Sequence, residues 1–87
     1  MNIEEFEKQC DEFFLAVCKK AKLSTVEGIA FKEIGGELDF DDALVNDILN
    51  HLITSKAEYE RDIDYTTIGH IKVTHRGVKK CQGLLRE

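Results

Sequence analysis

From Phe40 to Leu52 the large apolar residues return every four positions, at Phe40, Leu44, Ile48 and Leu52. From Tyr59 onward the spacing falls to two, through Tyr59, Arg61, Ile63 and Tyr65 and again at Ile71 and Val73. A four-residue period lines one face of a helix, and a two-residue period lines one face of a strand. With 87 residues there is room for one core only, so helix and sheet must share it. These residues therefore specify a single α+β domain, mainly helical.

The remaining elements follow from period and punctuation. Ile3, Phe6, Cys10, Phe13, Phe14, Val17 and Ala21 recur at three- and four-residue steps, which predicts a helix over about 2–22. Acidic residues crowd its first turns and Lys19, Lys20 and Lys22 its last, as the helix dipole favours. Ser24 and Glu27 in "STVE" read as a capping box for a second helix over about 25–34, ended by Gly35 and Gly36. Asp39 is the expected N-cap of a third helix over about 40–54. A hairpin is expected over about 57–63 and 69–74, and Thr74 then caps a last helix over about 75–86. Gly77 stands in that helix where a missing side chain permits close backbone approach.

Charge is sorted along the chain. Residues 37–64 hold nine acids and two bases, a net −7, whereas residues 65–87 hold five bases and one acid, a net +4. The formal total is −5. The longest unbroken apolar run, "FFLAVC", is far short of the roughly 20 residues a membrane helix needs. The acidic start "MNIEEFEK" lacks a signal-peptide pattern. Cys10, Cys18 and Cys81 form an odd set with no CxxC pair, and they read as small core residues in a reducing, cytoplasmic setting.

No Gly-rich phosphate loop or nucleophile elbow is present, and His51, His70, His75 and Cys81 match no compact ligand spacing. The expectation is a protein that is not an enzyme and takes neither metal nor cofactor.

Three helices, a hairpin and a closing helix form the layout of a winged helix-turn-helix domain, and particular residues carry the likeness. "VEGIAFKEIGGEL" resembles that family's second helix and turn. "DDALVNDILNHLITSKAEYE" is similar to its third helix running into the first wing strand. "IKVTHRGV" resembles the last strand and Thr-x-x-Gly step of many small bacterial and archaeal winged-helix regulators. The resemblance spans about residues 24–80. It implies binding of double-stranded DNA in transcriptional control, with the third helix in the major groove and the wing on the backbone or minor groove.

For that reading the candidate contacts on the third helix are Ala43, Asn46, Asp47 and Asn50, which point away from the apolar stripe. Asparagine bonds adenine through two edges, and aspartate accepts from cytosine. Lys72, Arg76, Lys79 and Lys80 are the candidate phosphate ligands, with Lys19, Lys20, Lys22 and Lys32 on the first two helices. Against it, no Lys or Arg occurs from residue 37 to residue 55, and Glu58, Glu60, Asp62 and Asp64 stand in the wing.

An acidic centre beside a basic end suits a second reading, a protein-interaction or dimerisation module. Phe13 and Phe14 are adjacent and project about 100° apart. One of them is then spare for a homodimer seam with Phe6.

Overall fold

The computed structural model describes residues 2–86. Four helices surround a three-stranded antiparallel sheet, in the order α1 (Ile3–Ala21), β1 (Ile29–Ala30), α2 (Phe31–Glu37), α3 (Asp42–Leu49), β2 (Ile63–Tyr65), β3 (His70–Val73) and α4 (His75–Leu85). The strand order is β1-β3-β2, so the last strand is central. Ile29 stands opposite Ile71, while Ile63, Asp64 and Tyr65 stand opposite Val73, Lys72 and Ile71.

Both ends of α1 are closed by local chemistry. Asn2 Oδ1 accepts from the Glu4 amide at 2.8 Å, and Lys22 turns left-handed while its amide donates to the Cys18 carbonyl. Cys10, Phe13, Phe14, Val17, Cys18 and Ala21 are buried along it. Because α2, α3, α4, β1 and β3 all pack on α1, its buried face is wider than a single stripe. Phe13 and Phe14 both enter the protomer's own core, at 0% and 4% exposure, so neither is a spare aromatic for a seam. Phe6 is half-buried and meets the His51 ring edge-on at 5.6 Å.

The second helix departs from expectation. Ser24 Oγ does accept from the Val26 and Glu27 amides, but the turn it makes leads into extended chain rather than helix. Ile29 and Ala30 pair with β3, and that pairing takes them out of any helix. α2 then begins at Phe31 and runs through both glycines to Glu37. Gly35 is buried there, and a Cβ on it would sit 2.5 Å from Val45 Cγ2 on α3. It lets two helices cross closely instead of stopping one.

Asp39 takes the left-handed conformation (φ 60°) in the connection, and Asp41 is the N-cap of α3, accepting from the Leu44 amide at 2.8 Å. The helical run continues past Leu49 as a π-helical turn over Asn50–Thr54, so its far end matches expectation. The expected strand at 57–63 is instead a 3-10 turn, Glu58–Glu60, followed by β2. Arg61 explains the shift: its Nε donates to the carbonyls of Ile53 and Lys56, folding that segment back onto the end of the third helix. Tyr59 is consequently exposed, and its parity with Ile63 has no structural meaning.

Cys18 on α1 and Cys81 on α4 are joined by a disulfide, with their Cα atoms 5.5 Å apart. Cys10 keeps a free, buried thiol. All three cysteines are core residues as expected, but the expectation that none of them is paired is corrected. Among the described residues no helix is long and apolar enough to cross a membrane.

Candidate functional site

On α3 and the turn that extends it, Ala43, Asn46, Asp47 and Asn50 are all exposed, while Val45, Ile48 and Leu49 are buried on the opposite side. The apolar period sets this division, since each step of three or four residues returns to the same face. The stripe offers two amides and a carboxylate to solvent and contains no cation.

The basic candidates lie on β3 and α4. Arg76 Nε lies 3.3 Å from Asp62 Oδ1 and Lys80 Nζ lies 3.4 Å from Asp62 Oδ2, so a single buried carboxylate holds both. Lys80 also stands over the Phe14 ring, 5.2 Å from its centroid, and so is turned toward α1. Lys72 pairs in register with Asp64, which Arg61 already contacts at 3.3 Å. Lys79 is exposed and has no ion pair among the described residues. On the opposite end, Lys20 Nζ reaches Glu37 at 2.8 Å and Glu33 at 3.4 Å. The hydrogen bond that Lys20 donates to the Glu37 carboxylate raises the lysine's pKa above its ordinary value.

Lys72 and Lys80 line different clefts. A groove of about 410 Å³ between α1 and α4 is lined by Lys8, Asp11, Glu12, Phe14, Lys80 and Leu84. A second hollow, also about 410 Å³, gathers Thr25, Val26, Glu58, Asp64, Lys72 and His75 beside the sheet. Neither is lined by a residue of α3. The clefts that Lys72 and Lys80 line thus do not include the polar stripe of α3. Among the described residues, no group of three or more His, Cys, Asp or Glu is placed to hold a metal ion.

Two features that govern this surface were not foreseen from the chain. Asp62 looked like one more wing acid, yet it is 8% exposed and gathers two cations. Nothing nearby in sequence marks it, because its partners lie on another helix. The Cys18–Cys81 bond left only a faint signal, in that both residues fall on apolar helix edges. No known family model, curated protein or solved structure matches this chain.

Proposed function

We propose that this chain is a winged helix-turn-helix protein that binds double-stranded DNA in transcriptional control. The observation that carries the reading is the exposed polar stripe Ala43, Asn46, Asp47 and Asn50 on a helix whose other side is core, followed, after the 3-10 turn Glu58–Glu60, by the β2–β3 hairpin. The element order and the β1-β3-β2 sheet are compatible with that fold. In this reading Asn46 and Asn50 meet base edges in the major groove, and Lys72 and Lys79 meet phosphates. With Arg76 and Lys80 already paired to Asp62, few cations remain for the backbone, so one protomer binds weakly and a homodimer doubles its contacts.

Fluorescence anisotropy of a mixed-sequence duplex at about 50 mM salt tests the proposal. Binding that Lys72→Glu with Lys79→Glu abolishes supports it. No binding at tens of micromolar protein overturns it.

The exposed acids Asp42, Asp47 and Glu58 and the internal pairing of Arg76 and Lys80 favour a second reading, a winged-helix module that docks on a protein and leaves DNA alone. A basic partner surface then meets Asp42, Asp47 and Glu58. The two readings separate on Asp47→Lys, which strengthens duplex binding in the first and weakens partner binding in the second.

A further inference from the structure

α4 is fastened unevenly along its length. At its start, Thr74 Oγ1 accepts from the Gly77 amide at 3.0 Å and donates to the Arg61 carbonyl at 2.6 Å. Gly77 is buried against the backbone of Asp62, whose carboxylate pairs with Arg76 and Lys80. Past Lys80, Cys81 is the one buried residue of the helix. Leu84 and Leu85 remain 40% and 41% exposed.

Openings flank this distal half on two sides. One is the groove lined by Phe14, Lys80 and Leu84, and the other is a cleft of about 300 Å³ lined by Leu23, Gln82, Leu85 and Arg86. A helix end with a cleft on either side and no buried leucine has little packing energy to hold it. Added to that sparse packing is the covalent bond from Cys81 to Cys18 on α1.

We propose that the Cys18–Cys81 disulfide is a redox latch on the distal half of α4, whose reduction frees residues 81–85 from α1 while the helix start and the remaining fold stay in place. The reductant is a dithiol. One of its thiolates attacks Cys81 Sγ and expels Cys18 as a thiolate. Its second thiol then attacks the mixed disulfide and expels Cys81. The dithiol leaves as a disulfide, having supplied two electrons, and Cys18 and Cys81 each take up a proton. Both sulfur-bearing residues are shielded from solvent, at 0% and 1% exposure, so exchange starts from fraying of the last turn. Release uncovers the side of α1 that carries Phe14, which lines the groove with Leu84. This inference is independent of what α3 binds.

Hydrogen exchange read by mass spectrometry on the full chain, oxidised and then held in dithiothreitol, tests the latch. Alkylation and intact mass fix the thiol count in each sample. The expected result is one titratable thiol in the oxidised, denatured chain and three after reduction. Exchange over residues 81–85 should rise about tenfold or more, with the amides of α1, α3 and β3 changed less than about twofold. The Cys18→Ser, Cys81→Ser double variant should match the reduced chain without reductant, and both should bind a hydrophobic dye that the oxidised chain does not. Three thiols in the oxidised chain overturn the proposal. So does unchanged protection over 81–85 after reduction, or loss of protection throughout the chain, which would make the bond a global staple.

Discussion

Gly77 of α4 lies so close to the backbone carbonyl of Asp62 that a Cβ on Gly77 would collide with it. The same approach brings the Asp62 carboxylate within reach of Arg76 and Lys80, one residue before and three residues after the glycine. One backbone contact therefore seats the helix and neutralises part of its positive charge.

Gly77→Ala should destabilise the protein by about 3 kcal/mol, because the obstacle is backbone and has no rotamer to yield. Gly83→Ala on the same helix meets nothing within 4 Å and should stabilise by up to about 1 kcal/mol through helix propensity. Urea unfolding of both variants checks the pair. Equal effects of the two substitutions would show that the close approach at Gly77 is wrong.

Asp62→Asn should cost about 1–2 kcal/mol, since the cations it releases are more than half exposed and remain hydrated. Its effect on binding is the sharper readout. If α4 faces DNA, freeing two cations should tighten binding and steepen the slope of log K against log salt by about 2. An unchanged salt slope would remove Arg76 and Lys80 from the DNA contacts.

At the start of α3, Asp41→Ala should cost about 1 kcal/mol by orphaning the Leu44 amide. Asp39→Gly should instead stabilise by a few tenths of a kcal/mol to about 1 kcal/mol, because residue 39 is left-handed. Thermal unfolding of the two variants should move Tm in opposite directions.

Burial, with Asp11 and Glu7 adding to it, pushes the Cys10 thiol up to about 11 from 9.0. The unfolded chain loses that proton first, so this group's share of stability is intact below pH 9 and disappears as the pH climbs toward 11. Cys10→Ala should flatten the stability–pH curve in that window relative to the parent chain. At neutral pH the thiol should resist alkylation in the folded protein.

The elements that were legible in the chain are those whose ends and faces are decided within a few residues. α1 was expected over 2–22 and spans Ile3–Ala21, and α4 was expected over 75–86 and spans His75–Leu85. Each has its own apolar period, and α4 has a Thr74 cap that behaves as its spacing implies. The outward face of α3 was equally legible, since burying Val45, Ile48 and Leu49 leaves Asn46 and Asn50 no other direction.

Where reading failed, a distant partner outbid a local signal. Ser24 forms its turn, but Ile29 is claimed by Ile71 before a helix can follow. Gly35 and Gly36 resemble a stop until α3 supplies Val45 at the crossing. The strand parity of Tyr59 and Arg61 lost to the Arg61 side chain, which is tied to Ile53 and Lys56.

Caps, periods and the Thr74-x-x-Gly77 step act through contacts one or two helical turns long, so the linear order of residues is enough to specify them. The pairing of Cys18 with Cys81, the use of Arg76 and Lys80 by Asp62, and the recruitment of Ile29 into the sheet join groups remote along the chain. Only the packing of α1, α4 and the sheet against one another brings those groups within bonding distance, and that packing decides which charges the surface can still offer a partner.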